Sequence, residues 1–423
     1  MTIRTRLLSR LAATGRIAGG LAVGGARHLA GDDGSRLGEA LLAELDALKG
    51  LPMKVGQILS YMDVGLPEAT VARLARLQTG REPLPWDDVR AILEASLGLP
   101  VDEVFDSFDP VAVAAASIGQ VHRADLDGRR VAVKVRYPGI RDVLASDLAR
   151  LGPLAQLAGL GTNVDGTALV AELRARMLEE CDYLAEARWQ ARFAGWLARE
   201  ADLVAPDVHL DLCREDVLVT SWIEGRPLAD LRGAMDRERH ALALATFPWL
   251  TLLRHATLHA DPHPGNFVVT DGPLAVLDFG CVRTFEAGDV RRFAALVRAD
   301  GRDAVLEAAC DLGLVPDPDR IDADELHALV GWMFAPYRTD RFAFTKAWWH
   351  EGRRFSSPSA SNGRKMGFPP AWLWLQRTFW GLHAVLVSLD VELALADRVE
   401  QLLQEGPCPE PSPKPSASAS STR

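Results

Sequence analysis

The chain has 423 residues and a formal net charge of −10; 48% of its residues are hydrophobic and 25% are charged. This length suffices for two or more compact units. The acidic balance argues against a nucleic-acid binder that relies on general electrostatics. The five cysteines form no C-x-x-C pair, so we expect reduced thiols and no zinc site.

The two ends of the chain differ in composition from the rest. Residues 1–31 carry five arginines and no acidic residue, which is typical of a membrane-surface helix, a transit-type peptide or a flexible leader. Residues 406–423 are rich in Pro, Ser and Ala and are expected to be disordered. No window reaches the roughly 18 apolar residues of a membrane span; the nearest, Phe379–Leu389, is too short and contains His383.

Residues 35–98 show helical periodicity, with leucines at three- and four-residue steps. Lys54 and Gln57 are three apart and would share one helix face. Taken alone, such a pair is more typical of solvated surface than of function. Two prolines then break the chain before a helix predicted over Trp86–Leu97.

The next stretch predicts a β-hairpin whose turn is Asp127-Gly128 and whose second strand carries Lys134. In protein kinases the lysine of a V-A-x-K strand binds the α- and β-phosphates of ATP, and the loop before the hairpin covers them. Here that loop is alanine-rich instead of G-x-G-x-x-G: Ala114, Ala115, Ala116 and Ser117. Alanine excludes much of positive-φ space, so the loop amides cannot approach phosphates as a glycine-rich loop does.

Residues 168–197 are predicted to form one long helix. On it, Glu180 and Glu186 would point roughly 120° apart and lie about 9 Å apart along the axis. We therefore expect them to face two different basic partners, the alternative being an acidic solvated face. The run Val217–Gly225 predicts an apolar strand entering a glycine turn, whose backbone is a candidate for binding an adenine edge.

Two motifs of phosphoryl-transfer enzymes follow in order. In the run H-x-D-P-H-P-G-N, Asp261 and Asn266 are five apart, as in the catalytic loop of protein kinases, and the D-F-G of Asp278 begins twelve residues later. The gap predicts a hairpin with a D-G turn at Asp271. Phosphoryl transfer needs mainly placement and charge neutralisation. Asp261 is therefore a candidate base, and Asn266 and Asp278 are candidate Mg²⁺ ligands.

Together these motifs resemble the UbiB family (AarF/ADCK type) of atypical, protein-kinase-like proteins over about residues 35–400. Four motifs carry the resemblance: K-x-G-Q at Lys54–Gln57, A-A-A-S at Ala114–Ser117, E-x-D at Glu180 and Asp182, and H-x-D-P-H-P-G-N at His259–Asn266.

The resemblance implies residue roles that the spacing alone does not establish. Lys134 is expected to pair with Glu186, and the helix of Lys54 and Gln57 to fold over the active site and meet Glu180. The alanine loop, Lys134 and a hinge containing Ser221 and Ile223 are expected to bind ATP. Ser221 departs from the family, in which many relatives have glutamate.

The function implied by the resemblance is that of an ATP-binding, Mg²⁺-dependent kinase-like enzyme tied to isoprenoid-quinone biosynthesis, acting on water or on a small or lipid-like acceptor. The expected partners are a lipid or quinone precursor and enzymes of quinone biosynthesis, with no nucleic acid. The paired C-terminal membrane helices of some bacterial members are missing, so an integral-membrane role is not expected. The expected location is cytoplasmic; peripheral membrane contact and organellar import both stay open.

The predicted fold class is α+β: a two-lobed protein-kinase-like fold with a family-specific helical extension over the active site. The predicted segments are a basic leader (1–31), the helical extension (32–100), a small lobe (101–225), a large lobe (226–405) and a disordered tail (406–423). Aromatic residues interleaved with leucines in the last third are more typical of a core than of a ligand site: Trp332, Phe334, Trp348, Trp349, Trp372, Trp374 and Trp380.

Two other functions remain. A small-molecule phosphotransferase of the aminoglycoside or choline kinase type also uses an H-x-D-x-x-x-x-N loop, but the A-A-A-S and K-x-G-Q motifs argue against it. A scaffold that binds nucleotide without turnover is the second. The presence of all five kinase-like polar residues argues against that function: Lys134, Glu186, Asp261, Asn266 and Asp278.

Overall fold

The computed structural model describes residues 83–115, 118–145, 174–175, 177–356, 361–362, 365–367 and 369–407. The predictions for the leader, for Lys54 and Gln57 of the extension, for Ala116 and Ser117, and for the tail beyond residue 407 lie outside the described residues.

The helices are α1 (Trp86–Leu97), α2 (Val101–Val104), α3 (Tyr183–Leu197), α4 (Arg237–His255), α5 (Ala287–Arg298), α6 (Arg302–Asp311), α7 (Ala323–Phe334), α8 (Lys346–Gly352), α9 (Pro370–Leu389) and α10 (Ala396–Glu405). The strands are β1 (Ser107–Phe108), β2 (Ala114–Ala115), β3 (Gly119–Leu126), β4 (Arg129–Arg136), β5 (Leu203–Val204), β6 (Val217–Ser221), β7 (Arg226–Pro227), β8 (Thr257–His259), β9 (Phe267–Val269), β10 (Leu274–Val276), β11 (Val282–Thr284), β12 (Phe342–Ala343) and β13 (Glu392–Leu393).

The small lobe is built on a five-stranded antiparallel sheet in the order β1-β3-β4-β6, with β2 also paired to β3. The turn between β3 and β4 has positive φ at Asp127 (50°) and Gly128 (69°). These are the signs that a two-residue type I′ turn needs, because its twist matches that of the strands. The hairpin predicted from the sequence is confirmed.

Helix α1 covers one face of this sheet, over the residues predicted from the sequence. Its Val89 and Leu93 are fully buried in one cluster with Val131 and Val133 of β4. The hydroxyl of Ser96 adds a hydrogen bond to the Asp216 carboxylate at 2.8 Å. Helix α1 lies within the predicted extension (residues 32–100), but it packs as part of the small lobe.

The prediction of one long helix over residues 168–197 is wrong. Helical backbone at 177–179 ends in a turn, and α3 begins at Tyr183. Asp182 is the N-cap, since its carboxylate accepts a hydrogen bond from the amide of Ala185 at 3.0 Å. An aspartate stabilises a helix more at the N-cap than in the interior. At the N-cap its carboxylate accepts a hydrogen bond from an amide that has no intrahelical partner.

The large lobe is mostly helical, and its core holds the aromatic residues of the last third. Trp332, Phe334, Trp372, Trp374 and Trp380 are buried there, and Trp348 and Trp349 pack against them. The interpretation of these residues as core is confirmed. Among the described residues, no helix combines the length and the apolar character needed to cross a membrane. The four cysteines in the described ranges are free thiols.

The β9–β10 hairpin of the large lobe is present, but its turn differs from the predicted D-G turn. Thr270 closes the loop: its hydroxyl accepts from the amide of Gly272 and donates to the carbonyl of Pro273. Gly272 does not adopt a positive φ. The following Pro273 explains this, because proline restricts the preceding residue to extended backbone.

The buried His383 of α9 generates a pH prediction. Its Nε2 lies 2.8 Å from the Tyr337 hydroxyl, and burial lowers the pKa of His383 to about 3. In the unfolded chain the pKa is about 6.5. As the pH falls below 6.5 the unfolded state therefore binds a proton first, and stability falls by about 1.4 kcal/mol per pH unit for this group.

We expect urea unfolding to show a smaller loss of stability between pH 8 and pH 5 in His383→Gln than in the unmodified chain. The difference at pH 8, where the ring is neutral in both states, measures the direct cost of the substitution. Equal losses in the two proteins would contradict the assignment.

Candidate active site

The centre of the site is a buried ion pair between the small-lobe sheet and α3. The ammonium of Lys134 on β4 donates to both carboxylate oxygens of Glu186, at 2.9 and 3.0 Å. The two side chains are 13% and 2% exposed. The structure therefore contains the lysine–glutamate pair that the family resemblance implied.

Tyr183, at the first position of α3, packs against the ammonium of this pair. The Lys134 ammonium lies 4.8 Å from the centre of the Tyr183 ring, within range of a cation–π contact. The Tyr183 side chain is fully buried and its hydroxyl approaches Gly119, the first residue of β3. A side chain at residue 119 would overlap that hydroxyl and the Val135 carbonyl. The glycine is therefore required for β3 and α3 to approach each other.

The D-F-G segment is oriented with its aspartate toward Lys134. Asp278 Oδ2 lies 3.2 Å from the ammonium, and Oδ1 accepts from the amide of Gly280 at 2.9 Å. Phe279 is fully buried, with its ring centre 4.9 Å from that of Phe193 on α3. The Asp278 carbonyl accepts a hydrogen bond from Nε2 of His259. Burial lowers the pKa of His259, which keeps the ring neutral.

Lys134 has two acidic neighbours, Glu186 and Asp278. Burial alone would lower the pKa of Lys134, but Asp278 and Glu186 raise it well above its usual range. Burial raises the pKa of Glu186 to about 7 against the opposing effect of Lys134. Two carboxylates thus share one ammonium. A cation bound beside Asp278 would be stabilised by the charge of its carboxylate.

The H-x-D-P-H-P-G-N run places its aspartate and asparagine in direct contact. The Asn266 side-chain amide donates to Asp261 Oδ2 at 3.0 Å and to the Asp261 carbonyl at 3.1 Å. Asn266 also precedes β9 and Asp278 lies just beyond β10, where the Leu277 amide donates to the Asn266 carbonyl at 2.9 Å. Both candidate metal ligands therefore lie at the same end of one hairpin.

This arrangement fits Mg²⁺. Asp278 and Asn266 offer hard carboxylate and amide oxygens, and the Asp278 side chain is 36% exposed. Magnesium binds through one or two such groups and completes its shell with water and phosphate oxygens. The carboxylate of Asp278 beside Lys134 favours a cation at the same place.

Sequence reasoning missed Arg377 of α9. Its guanidinium lies 3.2 Å from Asp261 Oδ1, and both side chains are below 10% exposed. The two residues are 116 positions apart. No local motif contains Arg377, and the only sequence signal is a lone arginine in an otherwise apolar stretch.

The two predicted hinge residues after β6 differ in how far their backbone groups are occupied. The Ser221 amide donates to the Asp207 carbonyl at 2.8 Å and the Trp222 amide to the Arg130 carbonyl at 3.0 Å. Ile223 makes no backbone hydrogen bond within the described part of the chain. Of the two predicted hinge residues, Ile223 thus offers both backbone groups to an adenine edge, whereas Ser221 has its amide occupied.

The E-x-D segment lies beside the D-F-G glycine. A β-carbon built on Gly280 would lie 3.7 Å from both Glu180 Cγ and Glu186 Oε2. The two glutamates therefore approach the same glycine, and the predicted 120° divergence is wrong because Glu180 precedes α3. Asp182 caps α3. The gating role assigned to Glu180 and Asp182 stays a prediction, since Lys54 and Gln57 lie outside the described residues.

The family comparison decides between the kinase-like families that share these motifs. A family model described as the ABC1 atypical kinase-like domain matches residues 76–301, more than half of the chain. The chain belongs to the ABC1 atypical kinase family. This confirms the resemblance and the two-lobed kinase-like fold predicted from the sequence.

Two curated relatives support the assignment of the chain to this family. An uncharacterized aarF domain-containing protein kinase of Arabidopsis thaliana, named as chloroplastic, is 34% identical over 267 residues, 62% of this chain and 36% of that protein. A probable protein kinase UbiB of Marinobacter nauticus is 32% identical over 309 residues, 68% of this chain and 56% of the relative. The chain thus matches about a third to just over half the length of these curated relatives.

A solved structure is also similar. It is the complex of a Mycobacterium tuberculosis protein with erythromycin, with a TM-score of 0.65 and 30% sequence identity. The similarity covers 86% of this chain and 95% of that one. The similarity to this structure therefore extends beyond the residues that the family model matches.

The contact between Gly119 and Tyr183 generates a test of how the site is built. We expect Gly119→Ala to lower the thermal midpoint strongly, because the added methyl group meets backbone and a buried ring that cannot move away. The control is Gly195→Ala in α3, where a β-carbon meets nothing within 4 Å and helix propensity predicts a small gain. Equal midpoints for the two variants would contradict the described packing.

Proposed function

We propose that this ABC1-family chain binds Mg²⁺ and ATP around Lys134 and transfers the γ-phosphoryl group slowly to water or to a small, lipid-like acceptor. We further propose that this activity supports isoprenoid-quinone lipid metabolism. The observation that carries the proposal is that Lys134 contacts Glu186 and Asp278, while Asn266, at the same end of the β9–β10 hairpin as Asp278, contacts Asp261.

Each residue has a physical role in this proposal. Lys134, held by Glu186, would bind phosphate oxygens. Asn266 and Asp278 would hold Mg²⁺, which neutralises charge on the transferred group. Asp261 would orient the attacking hydroxyl and accept its proton. As the acceptor oxygen bonds to the γ-phosphorus, the bond from that phosphorus to the bridging oxygen breaks, and ADP leaves.

The burial of Asp261 supports a small acceptor. Asp261 is only 6% exposed, and Arg377 and Asn266 occupy its two sides. So little of Asp261 is exposed that its limited access favours water or a small molecule over a protein segment as the acceptor. The quinone connection rests on the family resemblance and on the relative named UbiB.

The basic leader suggests where the acceptor would be found. Residues 1–31 carry five arginines and no acidic residue, and each arginine near an anionic membrane contributes about 1 kcal/mol to binding. A peripheral contact with such a surface would bring the site close to lipid-soluble acceptors. We propose that the leader makes this contact.

A second candidate is binding of a macrolide-type small molecule. It is favoured by the similar structure solved in complex with erythromycin. Thermal-shift titration with erythromycin, with and without ATP, tests it. A saturable shift would support this candidate, and the absence of a shift would rule it out.

The main test measures phosphate release and radiolabel transfer by the full chain. We expect slow Mg²⁺-dependent ATP hydrolysis that increases with anionic liposomes or phenolic quinone precursors, and no label on casein or an aminoglycoside. Asp261→Asn should lower turnover by about 10²-fold, the lower range of general acid–base catalysis. It should leave ATP binding in place, because Asp261 acts on the acceptor.

The matched control is Asp271→Asn, an exposed aspartate at the opposite end of the β9–β10 hairpin, which should retain full turnover. Efficient transfer to casein or to an aminoglycoside would contradict the proposed acceptor. Undiminished turnover in Asp261→Asn would contradict the proposed base, and ATP binding without turnover would favour the scaffold.

A further inference from the structure

Two arginines from distant parts of the chain flank one tryptophan next to Asp261. The guanidinium of Arg283 on β11 lies 4.3 Å from the centre of the Trp374 ring, and that of Arg377 lies 5.4 Å from it. All three side chains are buried, at 7%, 4% and 5% exposure respectively. We call these residues the Arg–Trp–Arg cluster.

Burial of two guanidinium groups is unfavourable unless neighbouring groups compensate for the lost hydration. A guanidinium loses its hydration when buried and needs an anionic partner or an aromatic face in return. Arg377 has both, because it contacts Asp261 at 3.2 Å and the face of Trp374. Trp374 lies one turn before Arg377 on α9, so the helix itself sets their spacing.

The ion pairs of the two arginines differ in solvent exposure. Arg283 contacts Glu179 at 3.5 Å, but the Glu179 side chain is 50% exposed, and a solvated ion pair contributes little. Arg377 contacts Asp261 where both side chains are nearly solvent-free. Of these two ion pairs, the one between Arg377 and Asp261 is therefore expected to be the stronger.

Asp261 itself is held from both oxygens. Asn266 donates to Oδ2 from within the same loop, five residues away, and Arg377 pairs with Oδ1 from α9. Two donors on opposite oxygens fix both the plane and the direction of a carboxylate. Without Arg377 only the contact inside the loop would remain of these two.

We infer that Arg377 is a positioning residue for Asp261, and that Trp374, which also packs against Arg283, holds Arg377 in place. This inference rests on the proposed function, in which Asp261 is the base. Arg377 acts through Asp261 and is not placed on the nucleotide side of the site, where Lys134 contacts Glu186 and Asp278. Its loss should affect turnover and not nucleotide affinity.

The first experiment compares Arg377→Met and Arg377→Lys in the full chain, with ATP hydrolysis and calorimetric ATP binding as readouts. Arg377→Met should lower kcat by at least about tenfold while KM and the ATP dissociation constant change less than about threefold. Arg377→Lys should recover part of kcat, because it restores the charge but not the planar fork. Trp374→Phe, which keeps an aromatic face, should lower kcat less than Trp374→Leu.

The matched control is Arg338→Met. Arg338 also lies over an aromatic ring, that of Phe334 at 5.9 Å, and donates to the carbonyls of Val297 and Ala299 at the end of α5. It should lower the thermal midpoint without lowering kcat per folded molecule. If Arg377→Met lowers kcat no more than Arg338→Met does, or raises KM and the ATP dissociation constant in parallel, the inference is overturned.

A second measurement does not depend on turnover. Unfolding of Asp261→Asn, Arg377→Met and the double variant forms a thermodynamic cycle. Loss of one partner leaves the other buried and uncompensated, so the double variant should be less destabilised than the sum of the singles.

The cycle separates the two claims. Absence of hydrolysis in the unmodified chain counts against the proposed function alone, because the cycle still measures whether Arg377 holds Asp261. Additive losses in the cycle would overturn the inference even in an active enzyme.

Discussion

The bidentate contact between Lys134 and Glu186 is the interaction on which the rest of the site depends. It joins the small-lobe sheet to α3 across 52 residues of sequence, with donor–acceptor distances of 2.9 and 3.0 Å. Breaking a buried pair of this kind costs about 3–5 kcal/mol, because the remaining charge stays desolvated. Asp278 completes the cluster at 3.2 Å from the same ammonium. The D-F-G segment is therefore positioned by the same charge that holds α3.

Helix α3 carries this constraint between the lobes. Tyr183 and Ala187 near its start belong to a buried cluster of the small lobe, whereas Phe193 and Leu197 near its end belong to the core of the large lobe. Phe193 packs on Phe279. A shift of α3 would therefore disturb Lys134, Glu186 and the orientation of Asp278 together, which explains why its start is fixed by a cap.

The backbone around the cap adds to this fixation. The Tyr183 amide donates to the Glu215 carbonyl at 3.0 Å, and Arg136 donates to the carbonyls of Cys181 and Glu215. These bonds tie the start of α3 to the loop before β6. These bonds fix the start of α3, and with it Glu186, relative to the small-lobe sheet.

The sequence predicted the parts of the site that local spacing determines. The β3–β4 hairpin and helix α1 depend on residues close in sequence, so turn chemistry and hydrophobic pattern were sufficient. The break before α3 was missed because the helical pattern continues through residues 168–197, although an aspartate followed by an apolar periodic run is itself a cap signal.

Arg377 and the hinge show why the remainder was out of reach. The Arg377–Asp261 pair joins residues 116 positions apart, and only the packing of α9 on the catalytic loop brings them together. At the hinge, the sequence indicated a strand but not which amides the neighbouring backbone occupies. The amide of Ser221 is occupied by the Asp207 carbonyl and that of Trp222 by the Arg130 carbonyl, and both carbonyls come from other segments.

The most direct test of the account is calorimetric titration of ATP, with and without Mg²⁺, into the unmodified chain and into Asp278→Asn. Asn keeps the shape of the side chain but removes the charged oxygen that would bind the metal and half of the negative charge facing Lys134. We predict that Mg²⁺ strengthens ATP binding to the unmodified chain and no longer does so in Asp278→Asn, while the thermal midpoint shows that the variant is folded. An undiminished Mg²⁺-dependent gain in the variant would contradict the account.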